Sequence, residues 1–227
     1  MKEIQTDTSV QQQVKPSAED NFLYVAIKYK TAIIGVLVLL ICMGAGSFFW
    51  MRHQQTSELE AALKLSRIAP LLDRAEYQAA INGSGNVAGL KKISEDYSGT
   101  PSGNMAGLLL ANAYYAIKDF DSSLKTFKSV SIGNDDLAAA AIAGTGDSYV
   151  GKNQFAQAAE AYQEASKKAK NAVLKAQYLY HSADSYQALN QLQKASELYN
   201  KIIADYPAST GAALAQRSLW KVSGKLK

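Results

Sequence analysis

The chain has 227 residues, with 24 Lys and Arg against 20 Asp and Glu, a net charge of +4, and a single cysteine. So small a charge argues against a dedicated nucleic-acid binder, which carries a pronounced basic face, and a lone Cys42 excludes an internal disulfide. A chain of this length holds one or two domains, and its 48% hydrophobic content is concentrated in one early stretch.

Residues 1–20 are polar, rich in Gln, Ser, Thr and charge, and are read as a disordered tail because almost nothing in them can build a core. Ser17 followed by Glu19 and Asp20 offers a helix start ahead of Phe22, Leu23, Val25 and Ile27, a segment suited to a membrane surface. Residues 21–51 are therefore taken as a juxtamembrane and transmembrane helix. From Thr31 to Trp50 the sequence TAIIGVLVLLICMGAGSFFW holds no charge, and its length in helix is about 30 Å, the thickness of a bilayer's hydrocarbon core. Phe48, Phe49 and Trp50 mark one interface, and Tyr29 with Lys28 and Lys30 the other. A cleaved signal peptide fits poorly, since the region before the run is too long for an n-region and the run exceeds the usual apolar core of about 7 to 15 residues. A lipoprotein signal fits no better, because Ile41 stands before Cys42 where a small side chain is required. Lys15, Lys28 and Lys30 on one side balance Arg52, Lys64 and Arg67 on the other, and the two lysines nearest the membrane set the N-terminus in the cytoplasm. Gly35, Gly44 and Gly46 are read as the glycines common in membrane helices.

Residues 52–103 read as a stalk helix and a degenerate first repeat that caps the three clearer repeats. Leu59, Leu63, Ile68, Leu71, Leu72, Ala75 and Tyr77 supply an apolar face, and Pro70 kinks or restarts the helix. Tyr77 lies 37 residues before Tyr114, Asp96-Tyr97 echoes Asp205-Tyr206, and Gly83, Ser84, Gly85 and Asn86 break the pattern where a second helix should begin.

Residues 104–206 carry the strongest pattern, set by AGTGDSYVGKNQFAQAAEAYQEA at Ala143 to Ala165: a helix, a turn at Lys152 and Asn153, and a second helix. Gly146 allows close approach of its partner helix, and Tyr114, Tyr149 and Tyr186 recur at intervals of 35 and 37. Each is followed nine positions on by a small residue (Ser123, Ala158, Ala195), then by an aromatic (Phe127, Tyr162, Tyr199). That spacing, with Pro207 closing the third unit, resembles the tetratricopeptide (TPR) repeat. In residues 207–227 Ser209 caps a final helix with Ala212, Ala213, Leu214, Leu219 and Trp220 as its apolar residues, the capping helix that such an array needs. Arg217, Lys221, Lys225 and Lys227 make its end basic, read as a solvated face, with anionic lipid or an acidic partner as alternatives.

The fold expected is all-α: a single N-terminal transmembrane helix, then a TPR-type α-α superhelix of three clear repeats, a degenerate N-terminal repeat and a C-terminal capping helix. A concave surface lined by the first helix of each repeat is the expected partner-binding groove, with Asn112, Tyr115, Asp147, Tyr180, Asp184 and Gln187 converging there, and Val150 and Gln177 nearby. Asp147 and Asp184 favour a ligand carrying Lys or Arg, or backbone amides. The alternative for both acids is solvation or pairing with lysines, and their removal is expected to leave stability unchanged. A carboxylate clamp of the chaperone-docking kind is not carried over: Asn112 matches one of its positions, but Leu108 stands where its first lysine belongs.

Catalysis is not expected. His53 and His181 are the only histidines, and no nucleophile, base and orienting acid assemble on any reasonable spacing. Gly144 and Gly146 sit in a helix pattern rather than a phosphate loop, and no metal or cofactor is implied. The layout as a whole resembles the ancillary subunit family of the bacterial Sec translocon. That resemblance implies a non-catalytic inner-membrane protein with a periplasmic TPR domain, beside the translocon and periplasmic chaperones. A TPR scaffold for another envelope machine, such as pilus, secretin or outer-membrane assembly, is the alternative.

Overall fold

The computed structural model describes residues 27–224. The tail, the helix start at Ser17 and the last lysines, Lys225 and Lys227, lie outside the described residues. Two compact units divide between His53 and Gln54.

In the first unit, helix α1 (Lys30–Ser66) begins, the one helix among the described residues long and apolar enough to cross a membrane. Its residues up to His53 are exposed throughout, and nothing lies within 4 Å of a side chain added at Gly35, Gly44 or Gly46. These features are consistent with a single-pass membrane anchor.

The second unit takes up the end of α1, where leaving the apolar stretch changes what the helix touches. Glu58 accepts hydrogen bonds from the Ser102 backbone N–H at 2.9 Å and the Ser102 hydroxyl at 2.6 Å. It thereby satisfies a free N–H in the first turn of α5 (Pro101–Ala116), where a negative charge also meets the positive helix end. Partial burial pushes the Glu58 carboxyl up, but the Ser102 and Thr100 hydrogen bonds outweigh it and hold the carboxyl low. Lys64 Nζ donates to the Tyr97 hydroxyl at 2.6 Å, and that hydroxyl donates to Glu60 at 2.9 Å. The chain then restarts as α2 (Ala69–Asp73), with Pro70 in its first turn.

After α2 come α3 (Tyr77–Asn82), a small antiparallel hairpin of β1 (Gly83–Ser84) and β2 (Val87–Ala88), and α4 (Leu90–Asp96). Gly83 (φ 91) and Gly85 (φ 55) supply the left-handed backbone that the hairpin requires. One expectation is corrected here. Tyr77 opens a six-residue helix instead of closing the first helix of a repeat, so its 37-residue offset from Tyr114 has no structural counterpart. The second echo is structural: Tyr97 and Tyr206 both end helices, donating their N–H groups to Ile93 and Ile202 at 3.1 and 2.9 Å.

Three helix pairs complete the array: α5 with α6 (Phe120–Ser129), α7 (Asp135–Gly151) with α8 (Phe155–Lys168), and α9 (Ala172–Ala188) with α10 (Leu192–Asp205). Each turn is made the same way. Lys118, Asn153 and Asn190 adopt left-handed φ of 64, 59 and 57°, and the next N–H returns to the carbonyl of Tyr114, Tyr149 or Tyr186 at 2.8 to 2.9 Å. Side-chain caps from Thr100, Asp119, Asn134, Asn171 and Ser209 fix five of the helix starts. Small residues set the packing distance: Ser123, Ala158 and Ala195 have no exposure, and a Cβ at Gly144 would enter the Phe127 ring. At Gly146 it would lie 2.8 Å from the Tyr162 ring.

The final helix α11 (Thr210–Ser223) packs on α9 and α10 as a cap, through Ala212 and Leu219 of the residues expected but not through Ala213, Leu214 or Trp220. Gly211, Ala212, Ala215, Ser218 and Val222 face inward, whereas Ala213 and Leu214 are exposed and Trp220 is 76% exposed. Helical phase sets the inward face at 211, 215, 218 and 222, with Gly211 meeting Ala176 so closely that an added Cβ would lie 3.0 Å from it, and Trp220 falls outside that face.

Candidate peptide groove

Two carboxylates define the site, and each is held by a tyrosine from the second helix of its own repeat. The Tyr162 hydroxyl on α8 donates to Asp147 Oδ1 on α7 at 2.5 Å. In the next repeat Tyr199 on α10 donates to Asp184 Oδ1 on α9 at 2.6 Å and lies 3.2 Å from Gln187 Oε1. Both rings are buried, Tyr199 completely. Burial first and the neighbouring carboxylate second push both phenols up out of the ordinary tyrosine range, so the proton stays on tyrosine.

This arrangement corrects the expected surroundings of the two acids. They are half-buried, and among the described residues neither forms an ion pair with lysine; Lys152 pairs with Asp121, while Lys168 and Lys170 pair with Asp135. Nor are Asp147 and Asp184 free of structural work: truncating Asp147 would strand the hydroxyl of buried Tyr162, and truncating Asp184 would leave that of Tyr199 with Gln187 alone. A carboxylate has about four acceptor positions, and one hydroxyl occupies one of them. Each acid therefore keeps acceptor capacity while its position is fixed.

Aromatic rings continue the site from repeat to repeat. His181 lies 5.3 Å from Tyr162 and 6.0 Å from Tyr180, Tyr180 lies 5.9 Å from Tyr199, and the Tyr180 hydroxyl meets Ser218 of α11 at 3.2 Å. Tyr115 packs on Phe120 with ring centres 5.5 Å apart, and its phenol is raised by burial and then by Asp147. Asp147, Tyr180, Asp184 and Gln187 are thus linked through Tyr162, His181 and Tyr199, while Tyr115 has its ring contact with Phe120. Asn112 does not join them: its amide donates to Leu108 O at 3.0 Å along its own helix. Tyr162, Tyr199 and His181 were not singled out from the sequence as groove residues. The sign of the two tyrosines was a covariation within the chain, since a hydroxyl appears 15 residues after position 147 or 184, where the acid stands, and Phe127 follows Asn112 at the same offset.

A cavity of about 610 Å³ lies elsewhere, between α4, α5 and α6, with Lys91, Lys125 and Glu95 on its walls. Its mixed charges suit no particular ligand class.

Stacked helix pairs with a shared turn, small-residue seams and an aromatic ladder define a helical-repeat protein. The sequence matches the family model described as a tetratricopeptide repeat-like domain over residues 27–222, and the chain belongs to that family. No curated protein matches it. Membership carries a role in protein–protein interaction.

Proposed function

We propose that this chain is a non-catalytic, membrane-anchored scaffold of the cell envelope whose groove captures extended, basic segments of partner proteins. The observation that carries the reading is the pair of carboxylates at Asp147 and Asp184, one repeat apart and each pinned by a buried tyrosine. A fixed carboxylate needs no reordering to receive a guanidinium or ammonium, which is how preorganisation improves binding. The rings of Tyr115 and Tyr180 offer faces to the same cations. Asn112 is included as the first polar position of the groove, contributing hydrogen bonding without charge.

On this reading the N-terminus lies in the cytoplasm and the array in the periplasm, with the chain working beside the Sec translocon and its chaperones. Support comes from the lysines flanking the span and from the order of anchor, stalk and array. The other envelope assemblies are the competing assignment. Photocrosslinkers placed at Tyr115 and Gln187 in living cells decide between them: translocon subunits or periplasmic chaperones are the expected adducts, and adducts confined to pilus, secretin or outer-membrane assembly proteins would transfer the assignment. Protease added to spheroplasts should degrade residues 58–227; protection of that segment would place the array in the cytoplasm and end the envelope reading.

A further inference from the structure

The outward side of α11 has no role in closing the array. Trp220 is 76% exposed there, with Arg217 one turn before it and Lys221 beside it. Terminal helices of repeat arrays keep a polar outer face, and an indole in that position departs from the rule. Trp220, Leu219, Gln216, Ser223 and Gly224 line an open depression of about 380 Å³. Among the described residues, neither Arg217 nor Lys221 forms an ion pair. From Pro207 to Lys227 the sequence contains Arg217, Lys221, Lys225 and Lys227 and no acidic residue.

We infer that this face of α11 is a second membrane contact, in which Trp220 enters the headgroup region of a bilayer and Arg217 and Lys221 meet anionic lipid. Trp is enriched at membrane interfaces because its ring is apolar and its N–H needs a polar partner. Basic residues are drawn to an anionic leaflet, and the segment holds nothing to oppose that attraction. So small a surface is too weak to hold a protein on a membrane alone, since stable attachment takes two signals. The apolar span supplies the first, and it keeps a bilayer at high effective concentration for the second. The inference goes beyond the groove reading and does not depend on it; it rests on the anchor.

The chain has two tryptophans, so Trp50→Phe leaves Trp220 as the only reporter. The full-length protein carrying that change is reconstituted into vesicles of phosphatidylcholine alone or mixed with phosphatidylglycerol, each containing a lipid with a headgroup-level spin label. Insertion of the span is checked separately by flotation. The contact predicts blue-shifted Trp220 emission, quenched by the labelled lipid in the phosphatidylglycerol vesicles and restored by high salt. The double change Arg217→Glu with Lys221→Glu should lower the bound-to-free ratio of this face roughly 30-fold or more, from about fivefold per basic residue near an anionic surface. Arg217→Gln with Lys221→Gln is the milder substitute if reversal disturbs folding. Water-like, unquenched emission in phosphatidylglycerol vesicles of inserted protein overturns the inference, as does quenching that survives both double changes. An emission shift caused by added polyglutamate and not by lipid would give the face to an acidic polypeptide and overturn it as well.

Discussion

Repeat one and its two successors share their turns, small-residue seams and capped first helices, yet differ at a pair of facing positions. Repeats two and three place an aspartate on the first helix and a tyrosine hydroxyl on the second; repeat one has Asn112 and Phe127. Phe127 is still buried, against Gly144, so its ring performs the packing work of the tyrosines. What repeat one lacks is the carboxylate and its pin. The comparison separates two jobs that one side chain performs in the later repeats: the ring fills the core, and the hydroxyl donates to the acid on the first helix.

The largest effect should come from removing a ring. Tyr199→Ala is expected to cost about 3 to 5 kcal/mol, and Phe127→Ala a similar amount, because both rings are buried and both mutations leave a cavity. Denaturant melts of the full chain test this, and a mild Phe127→Ala beside a severe Tyr199→Ala would break the claim that the rings are equivalent. Next comes Gly146→Leu, which drives side-chain atoms into the Tyr162 ring and should cost about 1 to 3 kcal/mol. An unchanged melt would place Gly146 elsewhere than the α7–α8 seam.

The third comparison separates the repeats directly. Asp147→Ala should cost about 1 to 3 kcal/mol by stranding the Tyr162 hydroxyl, and Asp184→Ala less, because Gln187 still accepts from Tyr199. Asn112→Ala should stay within about 0.5 kcal/mol, as surface changes do. In a Tyr162→Phe background the Asp147→Ala penalty should largely vanish, and a penalty that persists would mean that the carboxylate is held by something other than the phenol. The smallest effect is one of pH. Tyrosines of the unfolded chain ionise near pH 10, whereas Tyr162 and Tyr199 stay protonated above it in the folded chain. Their raised values contribute stability that is fully present below about pH 10 and lost as pH rises beyond it. Melting temperature should fall above that point, less steeply in Tyr162→Phe with Tyr199→Phe.

Much of this was legible in the sequence. The apolar run, the period, the turns at Asn153 and its counterparts and the Ser209 cap all depend on local chemistry, which spacing reports directly. Gly146 was legible for the same reason, as a small residue at helical spacing from aromatics. Trp220 was misplaced because the inward face is set by the small residues Gly211, Ala215 and Ser218 with Val222, and a search for large apolar side chains does not report that phase. Tyr77 was misplaced because a two-residue match carries little information against the Gly83–Ala88 hairpin. At the candidate site, helical phase placed Asp147 and Asp184 correctly on first helices, but a partner 15 residues away on a second helix lies beyond what phase can show.

The central claim is that Asp147 and Asp184 serve the groove by their charge and the fold by their acceptor oxygen. Substitution by asparagine separates the two, because a carboxamide oxygen still accepts the tyrosine hydroxyl while the charge is gone. The direct measurement is the affinity of the full-length protein in nanodiscs for an extended lysine- and arginine-containing peptide, before and after the double change Asp147→Asn with Asp184→Asn. Binding should weaken at least tenfold, about 1.4 kcal/mol, with melting nearly unchanged and with a glutamate-containing peptide bound poorly by both proteins. Equal affinity for the basic peptide before and after the change, or equal affinity for the two peptides, would contradict it.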